Sequence, residues 1–126
     1  MSEHAFRHAV EAGDVEGAME LLRDDVVLHS PIAFRPFEGR DQVEAVLRLV
    51  LDTFEDFRYV EEVADGPTVV LMFETRVGDR QVQGIDHIHT DADGRIDQFT
   101  VMVRPLSAAI ALAEAMGPKV LAAGIK

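Results

Sequence analysis

Between residues 58 and 103 the chain presents four strand-like runs, Arg58–Ala64, Thr68–Val77, Arg80–Thr90 and Arg95–Val103. Only Asp65-Gly66-Pro67, Gly78-Asp79 and Asp91-Ala92-Asp93-Gly94 separate them. Connections this short, built from Gly and Asp, are hairpin signals, so each run is expected to pair antiparallel with the next. Two of the runs are apolar on both faces: Val69, Leu71 and Phe73 alternate with Val70 and Met72, and Phe99, Val101 and Val103 alternate around Met102. A sheet that is apolar on both sides must be covered on both sides, and this is the tightest constraint on how the chain can fold.

The remaining segments supply cover for one face. Glu3 to Arg23 has helical spacing interrupted at Gly13-Asp14, which reads as two short helices with Asp14 as N-cap of the second. Asp25 to Pro31 is a short β-branched run stopped by proline, and Pro31 to Gly39 is a loop. Arg40 to Phe54 predicts a helix through Val43, Val46, Leu47, Val50, Leu51 and Phe54, with Asp41 at its N-terminal dipole. Leu106 to Met116 predicts a last helix ended by Gly117-Pro118, and the tail from Lys119 to Lys126 is compatible with helix or disorder. Helices followed by a run of hairpins define an α+β fold, in a single domain over residues 1–126, and exclude an alternating dinucleotide-binding sheet. Helices this few and short cannot cover two faces, so the outer face of the sheet is expected to meet a second copy of the chain.

Composition narrows the partners. With 23 Asp and Glu against 12 Lys and Arg the formal net charge is −11, which argues against nucleic acid and against an anionic membrane surface. No stretch approaches the ~20 apolar residues of a membrane span, and the N-terminus lacks the basic and apolar regions of a signal peptide. These features predict a soluble, cytoplasmic protein. The absence of Cys removes disulfides, thiolate nucleophiles and cysteine metal sites.

Phosphate-cradling glycine loops, nucleophile elbows and zincin motifs are all missing, and Ser30 is the only serine placed where a triad could use it. His4 with His8, and His87 with His89, could each present two imidazoles on one side, which is half a metal site at most; both read as surface pairs. Asp91 to Gly94 lacks the downstream Glu of a calcium loop and reads as a turn. No metal and no cofactor are expected. Asp86 stands apart: in Gly84–Thr90 it alternates onto the face of Ile88, while His87 and His89 share the other with Ile85. Among apolar side chains a carboxyl stays protonated to higher pH and can donate a hydrogen bond or act as a general acid. The other reading is an ion pair with an Arg across the sheet.

The succession GDVEGAMELLRDDVVLHSP, FEGRDQVEAVL and GIDHIHTDADGRIDQFTVMVRPLSA resembles the nuclear transport factor 2-like superfamily, in its SnoaL-like and ketosteroid-isomerase-like branch. The resemblance implies a cone-shaped roll in which a curved antiparallel sheet wraps around N-terminal helices and leaves an apolar pocket. It implies homodimers formed through the outer sheet face. Asp86 falls on the aspartic acid that ketosteroid isomerases hold protonated in an oxyanion hole, an arrangement well described for that enzyme. The isomerase's tyrosine partner matches Phe6, which cannot donate, and its general-base aspartate matches Ser30, a weak base. His29, beside Ser30, is an outside candidate for that base, although alternation turns it away from the face of Val26, Leu28 and Ser30. The lining implied is Phe6, Leu28, Leu47, Leu71, Phe73, Phe99, Val101 and Val103, with Phe34 and Phe37 near the mouth. Three functions follow as expectations: an acid–base enzyme of isomerase, cyclase or dehydratase type on a small hydrophobic molecule, a non-catalytic binder of such a molecule, or a dimerisation module with a filled core.

Overall fold

The computed structural model describes residues 4–125; the expected helix start at Glu3 and the last tail residue, Lys126, lie outside them. Asp14 divides the first helical stretch by accepting the Gly17 N–H at 2.9 Å, giving α1 (Ala5–Glu11) and α2 (Val15–Glu20). Gly17 leaves room for that cap, because a Cβ there would run into the Asp14 carboxylate. The chain continues as β1 (Leu22–His29), β2 (Phe37–Glu38), α3 (Arg40–Thr53), β3 (Glu55–Asp65), β4 (Thr68–Val77), β5 (Arg80–Thr90), β6 (Ile96–Arg104) and α4 (Leu106–Ala122).

The expected meander is present in β3 to β6, and the six strands lie in the order β2-β1-β6-β5-β4-β3. One pair departs from the antiparallel pattern: β1 runs parallel to β6, because the connection between them is long enough to cross the concave face. The sheet is therefore mixed. Leu22, expected within the second helix, instead opens β1 in a fully buried position, since helix α2 stops at Glu20 and the Leu21 carbonyl accepts the Ile96 N–H at 2.8 Å. The last helix also departs from expectation, running through Gly117-Pro118 to Ala122. Tertiary contacts offset the proline's missing N–H: Met116 is buried, and Lys119 Nζ donates to Thr53 Oγ1 at 2.7 Å.

Helices α1, α3 and α4 pack on the concave face. Rows of side chains cross the sheet there in register: Val69, Ile88, Phe99 and Leu28 form one row, and Glu62, Leu71, Asp86 and Val101 the next. Phe6 of α1 meets Phe99 edge-on at 5.1 Å, tying the first helix to the middle of the sheet. The opposite face carries Val70, Met72 and Ile85, which are half-buried, and Met102, which is 54% exposed.

Candidate functional site

The site is built on three strands. Gly84 and Asp86 point inward from β5. Gly84 is required by close approach, since a Cβ there would lie 2.5 Å from Phe73 Cζ and 2.6 Å from the Met102 carbonyl oxygen. The Phe73 ring therefore lies over Gly84, stacked against Phe57 at 5.0 Å, and Phe57 meets Tyr59 edge-on at 4.9 Å. This aromatic wall carries the Tyr59 hydroxyl to Asp86, where it donates to Oδ2 at 3.2 Å. Asp86 is 6% exposed, with Leu71 and Val101 as its cross-strand neighbours.

The electrostatics follow from that burial. Removal from water pushes the Asp86 carboxyl up to about 7, and the bond from Tyr59 opposes the rise. Desolvation and the neighbouring Asp86 push the Tyr59 phenol far above its ordinary value, so Tyr59 keeps its proton throughout the accessible pH range. Of the two environments expected for Asp86, the ion pair with an Arg gives way to a neutral partner, and this partner is the chain's single tyrosine.

A second layer lies behind Tyr59. β3 carries a register shift between Tyr59 and Glu61, so that Tyr59 pairs with Phe73 and Glu62 with Leu71. The extra residue, Val60, brings both Tyr59 and Glu62 onto the concave face, three positions apart. Glu62 accepts from the His4 backbone N–H at 3.0 Å and from Arg7 Nη1 at 3.3 Å. The His4 side chain caps α1 by accepting the Phe6 N–H at 3.1 Å, and burial lowers its pKa against the opposing pull of Glu62. His4 is thus a cap rather than half of a surface pair. His89 is bonded to Asp97 at 2.7 Å and His87 is exposed. Among the described residues no group of three or more His, Asp or Glu is placed to hold a metal ion, and no helix is long and apolar enough to cross a membrane.

The residues expected to line a pocket divide into two sets. Phe6, Leu28, Leu47, Leu71, Phe73 and Phe99 are buried in the core, and Phe37 packs partly against it. Val101, Val103, Phe34, Ser30 and His29 come together in a depression of about 560 Å³, where β6 runs beyond the end of β1 and the Pro31–Pro36 loop overhangs it. Phe34 is 100% exposed beside it. Val101 lines the depression and is also the cross-strand partner of Asp86, which does not itself line it. The Ser30 hydroxyl is committed to its own turn, accepting the Ile32 and Ala33 N–H groups at 3.3 and 3.2 Å. His29 pairs in register with Thr100, which pairs with His87, a row belonging to the outer face.

Residues 3–99 match the model of the SnoaL-like domain. The chain is similar to a steroid delta-isomerase from Pseudomonas aeruginosa, with 44% identity over 91% of this chain and 85% of that one and a TM-score of 0.86. It is also similar to an uncharacterized protein with a cystatin-like fold from Silicibacter pomeroyi DSS-3, with 33% identity, 93% and 83% coverage and a TM-score of 0.87. An NTF-2 like protein of unknown function from Burkholderia xenovorans LB400 shares the fold, with 18% identity, 79% and 77% coverage and a TM-score of 0.66. None of the curated proteins compared with it matches the chain. The chain belongs to the SnoaL-like family, with the NTF2-like fold and a relationship to ketosteroid isomerases.

Proposed function

We propose that this protein is an acid–base enzyme acting on a small apolar molecule that carries an oxygen, with Asp86 as the proton-exchanging group. One observation carries the reading: a carboxyl enclosed by apolar side chains, hydrogen-bonded by a phenol and held near neutrality in its titration. Such a group donates a hydrogen bond or proton to an oxygen gaining negative charge, and having done so it can take a proton back. Isomerisation, cyclisation and dehydration all need a proton moved in this way. The depression beside Val101 and Val103, with Phe34 at its rim, is the opening this reading assigns to the ligand, and a second copy seated at Met102 would border it. Steroid isomerisation, the activity in the name of the Pseudomonas aeruginosa relative, is the first reaction to assay.

The commitment of Ser30 to its turn and the lack of a donor on Phe6 favour a second reading, a binder without turnover. Both readings place the ligand's oxygen on Asp86. 2-Naphthol, an apolar probe whose emission separates phenol from phenolate, tests that step. It is expected to bind wild type and to bind Asp86→Leu about ten- to a hundredfold more weakly, the loss of one strong hydrogen bond. Equal binding would end both readings. Mass spectrometry of an extract separates them, because a tight binder retains its ligand and an enzyme releases product. We further propose that a second copy of the chain covers the outer sheet face around Met72, Ile85 and Met102.

A further inference from the structure

We propose that Arg7 is a positioning residue, which, clamped from α1 by Glu11 and Glu62, holds the Tyr59 phenol as the hydrogen-bond donor to Asp86. The proposal rests on the functional reading of Asp86 given above and extends it to the residues behind the reacting carboxyl.

Among the described residues, Glu11, Glu62 and Tyr59 meet the guanidinium. Arg7 Nε meets Glu11 Oε1 at 3.3 Å, one turn along α1, and Nη1 meets Glu62 Oε1 at 3.3 Å on β3. The guanidinium carbon then lies 5.9 Å from the centre of the Tyr59 ring. Arginine's fork can bind two carboxylates while its flat face rests on an aromatic ring, which a lysine cannot do in the same way. Glu62 makes the clamp possible only because the bulge at Val60 turns it inward, and the same carboxylate fixes the start of α1 through the His4 N–H. One cation, two carboxylates, one phenol and one buried carboxyl thus form a continuous path from the helix to the sheet centre.

A positive charge at the ring favours donation by the phenol, because it stabilises the negative charge that builds on the phenol oxygen as the proton is shared. Stronger donation favours the ionised form of Asp86, and so Arg7 acts on Asp86 through Tyr59. Among the described residues, the charged and titratable groups around the pair are Arg7 and Glu11 from α1, His4 at its N-cap and Glu62 from β3. Neighbouring β4 and β6 contribute Leu71 and Val101, and α4 turns Ala108 and Leu112 inward. A cation that merely linked α1 to β3 would leave the coupling between Tyr59 and Asp86 untouched.

The test is a double-mutant cycle read by carbon NMR titration of the Asp86 carboxyl in wild type, Arg7→Gln, Tyr59→Phe and the double variant. Tyr59→Phe is expected to raise the Asp86 midpoint by about one pH unit, the equivalent of one hydrogen bond. Arg7→Gln is expected to raise it by roughly half as much, and to add nothing in the Tyr59→Phe background. Arg7→Lys, which keeps the charge and the helix, is expected to recover part of the wild-type midpoint. An Arg7→Gln effect of zero, or one that survives in full without the phenol, overturns the proposal. Should Arg7→Gln not fold, the same cycle with Arg7→Lys decides it, because losing the planar fork then moves the midpoint only when Tyr59 is present. The cycle depends on differences between variants, so it is decided independently of whether the wild-type midpoint lies near neutrality, which is the separate test of the functional reading.

Discussion

Asp86 makes the stability of the whole protein depend on pH. Its ordinary value is 3.8 and its folded value about 7, so between these limits the folded chain binds more protons than the unfolded one. Stability therefore falls as pH rises through that window, by an amount on the order of 4 kcal/mol. The contribution is complete below the unfolded value and lost above the folded one. Asp86→Asn, which keeps the shape without the charge, is expected to flatten the dependence and to melt roughly 10–20 °C above wild type at pH 8. Thermal denaturation at pH 5 and pH 8 reads this directly, and an unchanged slope would place the titrating group elsewhere. Gly84 gives a second prediction at this scale. Gly84→Ala is expected to cost about 1–3 kcal/mol in chemical denaturation, since the new methyl must displace the Phe73 ring.

At the scale of the element, the sheet shows why one half of the site could be read in the sequence and the other could not. Gly84–Thr90 is a regular strand, so plain alternation put Asp86 inside. The same rule applied to Arg58–Ala64 would have put Tyr59, Glu61 and Val63 on one face. The bulge breaks that period after Tyr59 and brings in Glu62 instead, so alternation alone does not reveal the Arg7 clamp. Only Tyr59's standing as the single tyrosine hinted at it. The two adjacent glutamates give a test of the phase. Glu62→Ala is expected to cost about 1–2 kcal/mol, because it strips an acceptor from the His4 N–H and from Arg7, whereas Glu61→Ala should fall within about 0.5 kcal/mol of wild type. Equal costs would mean that the strand carries no such shift. Helix α4 teaches the complementary lesson, because Gly117-Pro118 is a sound local stop that Lys119, Met116 and Val120 override through contacts made by distant residues.

At the scale of the molecule, the apolar outer face is the feature that the sequence stated most plainly. A second copy seated there is expected to give a dimer in sedimentation velocity at micromolar concentration. Met102→Glu, which places a charge in the middle of that face, should shift it to monomer while leaving the circular dichroism spectrum unchanged. A wild-type monomer would remove the proposal. The parallel pairing of β1 with β6 has a different kind of consequence. Leu22 finds its partner at Ile96, and Phe6 finds its own at Phe99, so the first quarter of the chain has its sheet neighbours in the last. During synthesis the hairpins from β3 to β5 can form as they emerge, while β1 has only the two-residue β2 to pair with until β6 arrives. Completion of the sheet is therefore expected late, and a chain interrupted before β6 leaves Asp86 without Val101 and without α4.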